Sequence, residues 1–284
     1  MYGVWLRQAQ KSVKELAEEV SVNPYVVDET PAYAVVYKPP RMHSVPLKSD
    51  AGRRNKTLLD WCAGLFPEVL TVQGKNPWEG GLLHRLDYET RGLVLAAKTQ
   101  TAMDVLGFQQ EAGLFIKAYS ALSVPQKTLP VPGFPPRPRI PGLPFGIESA
   151  FRAFGPGQRA VRPVALSCLR VSDSSIKKRS RRPALDRDQA YRTEILEKQG
   201  LGTYTCFHLQ IKRGFRHQIR CHLAWLGFPL LNDALYGGVS EDGVPPREAG
   251  FAPLALIGRS VSFYDPVSKR PRQYVVPGFP DLFL

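Results

Sequence analysis

The chain has 284 residues, enough for one large domain or two small ones, and 43% of them are hydrophobic, enough to fill a core. Its 38 Lys and Arg outnumber 25 Asp and Glu, giving a net charge of +13 that suits a polyanionic partner such as nucleic acid. No apolar run of about 18 residues exists, so no membrane helix is expected. The N-terminus lacks a continuous apolar stretch, so no secretory signal is expected either. The four cysteines, Cys62, Cys168, Cys206 and Cys221, form no CxxC pair. That spacing argues against a zinc site and a disulfide scaffold, and fits a reducing cytoplasm.

Apolar positions 5, 6, 13, 16, 17 and 20 predict a helix over 5–20, within an N-terminal extension of residues 1–25. Residues 26–284 are then expected to form the main domain. Tyr33 to Tyr37 reads as a strand ended by Lys38-Pro39-Pro40. Thr57 is placed to cap a helix through Phe66, which Pro67 stops. Leu93 to Ala97 reads as a buried strand. Thr99 is placed to cap a second helix through Glu111, with Gly113 at its end. Leu114 to Leu122 reads as a strand. Eight prolines between Pro125 and Pro144 predict an extended surface loop, the start of a Pro-rich and basic insertion over about 124–187. Strands follow at Tyr191 to Leu196 and Thr203 to Ile211. A helix is predicted from His217 to Leu226, stopped by Gly227 and Pro229. Strands at Ser260 to Tyr264 and Gln273 to Val276 complete the pattern. Strands and helices mix without regular βαβ alternation, which predicts a single α+β domain with a mixed sheet.

Charge is concentrated in the middle. Residues 134–187 hold twelve Lys or Arg and three acids, +9 of the total +13. The run Lys177-Lys178-Arg179-Ser180-Arg181-Arg182 has the composition to grip RNA phosphates. A solvated linker and a nuclear-import patch have the same composition.

The most informative stretch is 83–98, Leu-His-Arg-Leu-Asp-Tyr-Glu-Thr-Arg-Gly-Leu-Val-Leu-Ala-Ala-Lys. It sets Asp87 on a short polar segment between apolar runs. An Asp there is either a reactive carboxylate or an ordinary turn residue. His84, His217 and His222 do not make a metal set. His217 and His222 are five residues apart and do not share a helix face.

The order of residues goes further. His84-Arg85-Leu86-Asp87, then Thr90, Gly92-Leu93 and Ala97-Lys98, resembles the signature of the RluA-type pseudouridine synthases. Val35-Val36-Tyr37-Lys38-Pro39 with His43 resembles that family's opening strand. Ile116-Lys117-Ala118-Tyr119 resembles its Lys-x-Tyr segment. Gly214-Phe215-Arg216-His217-Gln218-Ile219-Arg220-Cys221-His222-Leu223 resembles its third signature, continued by Gly227-Phe228-Pro229, Asn232-Asp233 and Tyr236-Gly237. The likeness covers roughly residues 26–276.

The resemblance implies a mixed, mainly antiparallel sheet flanked by helices. It also implies an isomerase that flips a uridine out of RNA and converts it to pseudouridine without a cofactor or metal. Asp87 is then the reactive carboxylate, Tyr119 the ring that stacks on the uracil, and Arg220 the partner that keeps Asp87 ionised. Arg85 is expected to fill the gap left by the base. His84, Lys117, His217 and Gln218 are expected to contact substrate. Ribosomal or transfer RNA, a monomer and a cytoplasmic setting complete the expectation. About 25 residues precede the first family strand, so no S4 RNA-binding domain is expected.

Two departures stand out. Arg91 replaces the family's usual Ser. Phe215 replaces its usual Arg, with Arg216 where a smaller residue is usual. Two other readings remain at this point: a binding protein on the same fold that has lost catalysis, and a glycosidase or nuclease using Asp87 with His84. The second has only Glu89 as a nearby second acid.

Overall fold

The computed structural model describes residues 22–46, 57–124, 131–140, 142–165, 190–238 and 253–277. In chain order its strands and α-helices are β1 (Tyr25–Glu29), β2 (Tyr33–Lys38), α1 (Leu58–Leu65), β3 (Arg91–Ala97), α2 (Gln100–Glu111), β4 (Ile116–Ser123), β5 (Phe145–Phe154), β6 (Ala160–Val164), β7 (Tyr191–Leu201), β8 (Tyr204–Ile211), α3 (Gln218–Leu226), β9 (Leu256–Tyr264) and β10 (Pro271–Val275). The predicted helix over 5–20 and the basic run 177–182 lie outside the described residues.

The chain divides into two compact units, Met1–Ala121 with Phe251–Leu284, and Leu122–Gly250. In the first, β1, β2 and β3 form an antiparallel meander, and β3 pairs with β9 in parallel. β9 then pairs antiparallel with β4 and β10. β2 and β3 are buried along their whole length, so they read as unbroken apolar runs rather than alternating ones. Tyr33, Val35, Leu93, Leu95, Phe115, Val261 and Phe263 fill the core, with Leu106 of α2 packed against them. Both predicted caps form. The Thr57 hydroxyl accepts from the Asp60 N–H in a capping box, and the Thr99 hydroxyl accepts from the Ala102 N–H.

In the second unit β8, β7, β5 and β6 follow in antiparallel order. Phe151, Val161, Cys221, Ala224 and Tyr236 form its core. All nine residues of α3 are buried, and Gly227 ends the helix at a left-handed φ of 87°.

β5 and β6 lie within 124–187, where no strand is read from the sequence. Pro163 inside β6, in a basic and Pro-rich stretch, argues locally against a strand. Pairing with β7 and packing against α3 override that local signal. β1 is a second addition, an edge strand with a bulge between Val26 and Asp28.

Candidate active site

Asp87 lies in a short irregular segment that leads into β3, and it is half-buried. Its backbone is fixed from several directions. The Asp87 carbonyl accepts from the Thr90 N–H at 3.1 Å. One residue earlier, the buried Ser44 hydroxyl donates to the Leu86 carbonyl at 2.9 Å and accepts the Leu86 N–H at 3.1 Å. One residue later, the Tyr88 carbonyl accepts from the Arg41 N–H at 2.7 Å. Lys38, fully buried, donates to the carbonyls of Pro39, Met42 and, at 3.4 Å, Tyr88. Burial pulls the Lys38 ammonium down to about 7, although the charges of Asp87 and Glu89 oppose it.

Below this segment the sheet closes unusually tightly. Gly92 pairs with Gly258 across the parallel β3–β9 contact, at φ 134°. A Cβ on Gly92 would lie 2.3 Å from the Gly258 carbonyl oxygen, so only glycine fits there. A Cβ on Gly258 would meet Tyr119 at 3.5 Å and Leu86 at 3.6 Å. Leu86, the residue before Asp87, and the Tyr119 ring thus both lie against the same stretch of β9.

Tyr119 comes from β4, opposite Gly258, directly after a register shift between Ala118 and Tyr119. Such a bulge re-aims a side chain relative to a regular strand. Tyr119 is buried at 6% exposure. Burial, and then the Asp87 charge, push its phenol up, so it stays protonated across the neutral range.

His84 packs its ring on Phe115 at 5.5 Å between centroids. Neither ring nitrogen has a hydrogen-bond partner among the described residues. Burial and the nearby Lys117 charge hold it well below the ordinary histidine range, so it is neutral. Lys117 is buried at 4% exposure and pulled down to about 8 by desolvation. Arg85 has a half-exposed side chain and pairs with buried Glu79 at 3.2 Å. Arg91 is buried, which lowers its pKa; the nearby Tyr37 hydroxyl opposes that shift.

In the second unit Arg220 is 2% exposed and grips Asp233 with two bonds of 2.8 Å, Nε to Oδ2 and Nη2 to Oδ1. Asp233 also accepts the backbone N–H groups of Leu235 and Tyr236. The Arg220 guanidinium lies 5.5 Å from the Tyr236 ring centroid. His217 starts α3 at φ 55°, with Nδ1 3.2 Å from the Tyr236 hydroxyl. The Gln218 amide accepts from the Phe215 N–H and donates to the Arg192 carbonyl and the Thr193 hydroxyl. His222 bonds Thr193 and Ser149, and burial pulls it down to about 3. No cluster of three metal-ligating side chains occurs among the described residues.

Ser44, Glu79 and the bulge at Ala118/Tyr119 were not visible in the sequence. Ser44 meets Leu86 from 42 positions away, and no local pattern announces that contact.

A family model described as RNA pseudouridylate synthase matches residues 32–225, over half of the chain. The chain belongs to that family. An uncharacterized RNA pseudouridine synthase of Chloroflexus aurantiacus is 30% identical over 66% of this chain and 47% of its own length. Ribosomal large subunit pseudouridine synthase D of Yersinia pestis is 24% identical over 88% of this chain and 62% of its own. The chain thus spans about half to three-fifths of these relatives. The solved structure of human RNA pseudouridylate synthase domain containing 4 shares the fold, with a TM-score of 0.57, 18% identity, and coverage of 98% of this chain and 95% of that one. The family's mixed, mainly antiparallel sheet is the architecture described above.

Proposed function

We propose that this chain converts uridines in RNA to pseudouridine, with Asp87 as the reactive carboxylate. The observation that carries the reading is a half-buried Asp87 on a pinned segment, with the buried Tyr119 ring against the same glycine of β9 as Leu86, the residue before Asp87. The reaction is an isomerisation. The C1′–N1 bond breaks, C1′ joins C5, the C5 proton leaves and N1 regains one. It needs no oxidant, metal or energy-rich cosubstrate.

Asp87 acts at the ribose, either by bonding C1′ or by taking a proton. Flipping the uridine out costs a few kcal/mol, which contacts to the everted base and its flanks must offset. The neutral Tyr119 ring stacks on the uracil, and its hydroxyl relays the proton released from C5. Arg85, held by Glu79, takes the place of the flipped base in the stack. His84, Lys117, His217 and Gln218 are assigned to shaping and contacting the substrate site. Arg220, already bound to Asp233, is assigned to keeping Asp87 ionised.

The substrate is structured RNA. The Yersinia relative is named for the ribosomal large subunit, which favours ribosomal RNA, and transfer RNA is the alternative. The chain is proposed to act as a cytoplasmic monomer. Among the described residues no helix is long and apolar enough to cross a membrane. Retention of both Asp87 and Tyr119 favours an enzyme over a binding protein that has lost catalysis. The test is direct: incubate the protein with ribosomal and transfer transcripts, digest to nucleosides and quantify pseudouridine. Product on at least one transcript is expected. None on any would overturn the proposal.

A further inference from the structure

We infer that Phe215, buttressed by Tyr191, forms a stacking platform for an unpaired RNA base, with Arg213 beside it to pair with a phosphate. The inference rests on the RNA substrate proposed above and adds a binding site apart from Asp87. Residues 212–216, Lys-Arg-Gly-Phe-Arg, are all exposed and carry three positive charges with no acid. Phe215 has 37% of its surface open.

The ring is nonetheless rigidly supported. It lies parallel to the buried Phe151 ring, at 9° and 5.0 Å between centroids. Tyr191 leans against both, 5.0 Å from Phe215 at 52° and 6.0 Å from Phe151. The Phe215 backbone is fixed as well, because its N–H donates to Gln218. A large ring that is held from below yet left open is what a base needs, since stacking requires a preordered flat face.

The charges match a nucleic acid better than an apolar protein partner. The Arg213 guanidinium sits 5.3 Å from the Tyr191 ring centroid. Arg216, itself exposed, reaches back to the Gln158 carbonyl at 2.9 Å. Arg213 thus borders the rings, as expected where a base stacks and its phosphates pair with cations.

The experiment uses the full chain and a fluorescein-labelled, uridine-rich single-stranded RNA about 12 nucleotides long. Phe215→Leu keeps the packing on Phe151 but removes the aromatic face, and it is expected to weaken binding by about 5- to 100-fold. Phe215→Trp should bind at least as well as the wild type. A strand of the same length with abasic riboses should bind wild type and Phe215→Leu alike. Arg213→Gln should lower the salt dependence, whereas Phe215→Leu should leave it unchanged. Equal weakening on normal and abasic strands, unchanged binding by Phe215→Leu, or no binding of the strand by the wild type would each overturn the platform. A wild type that shows the stacking dependence but makes no pseudouridine supports the platform and removes only the isomerase reading.

Discussion

The two units hold their motif segments in opposite ways. Around Asp87 the pinning groups act on the backbone: Ser44 on Leu86, and Arg41 and Lys38 on the Tyr88 carbonyl. Around α3 the side chains themselves are engaged, with Arg220 forked onto Asp233 and Gln218 bonded three times. A segment held through its main chain has its backbone geometry fixed independently of its side chains. A segment held by side chains ties its rigidity to those same groups. Rigid support of this kind is what a reacting group needs from its surroundings.

The sharpest way to break the comparison is to remove one half of the sealed pair. Arg220→Met leaves the Asp233 carboxylate buried without its partner, and should cost about 3–5 kcal/mol in denaturant unfolding. Adding Asp233→Leu should recover part of that loss, because the double change removes both charges. A full additive loss would mean that the pair is not the source of the stability.

Gly92→Ala comes next. The added methyl meets the Gly258 carbonyl oxygen at a positive φ, so a loss of at least about 2 kcal/mol in thermal unfolding is expected. A stable Gly92→Ala protein would contradict the tight β3–β9 approach.

Ser44→Ala tests the backbone pin. It removes two hydrogen bonds to Leu86, each worth about 1 kcal/mol. Pseudouridine formation should fall by about 10- to 100-fold, because small displacements of a reacting group are costly. Equal activity at unchanged stability would show that the pin is not what places Asp87.

Asp265 gives the smallest expected effect and sharpens the picture of main-chain pinning. Its carboxylate takes the N–H groups of Val267 and Ser268 and the Tyr33 hydroxyl. Burial tends to raise its pKa, but these donors outweigh burial and hold it at about 2, below the usual 3.8. A depressed acid stabilises the fold above its unfolded value and loses that contribution as pH falls through the folded value. The stability gap between wild type and Asp265→Asn should therefore be full above pH 4 and close as pH drops towards 2. A gap that stays constant over that range would sink the assignment.

What the sequence disclosed was local or patterned. The Thr57 and Thr99 caps, the Gly227 stop and the strands flanking α2 follow from neighbouring residues, and the structure has them. The motif residues of the site were legible through the order in which they occur. Their setting was not. The Ser44–Leu86 bonds span 42 positions and the Arg220–Asp233 fork spans 13, so neither leaves a periodic trace. The Ala118/Tyr119 bulge is a register event between β4 and β9, invisible until both strands are paired. β5 and β6 were hidden in a Pro-rich, basic stretch with Pro163 inside β6, a local signal that pairing with neighbouring strands overrides.

The central claim concerns one carboxylate, and it is best tested on a transcript tritiated at uridine C5. Joining C1′ to C5 must release that tritium to water. Wild type should release it in step with pseudouridine formation, while Asp87→Asn, which keeps the shape and removes the charge, should bind the RNA yet release tritium at least about a thousand-fold more slowly. Comparable release by Asp87→Asn would show that the reaction proceeds without this carboxylate.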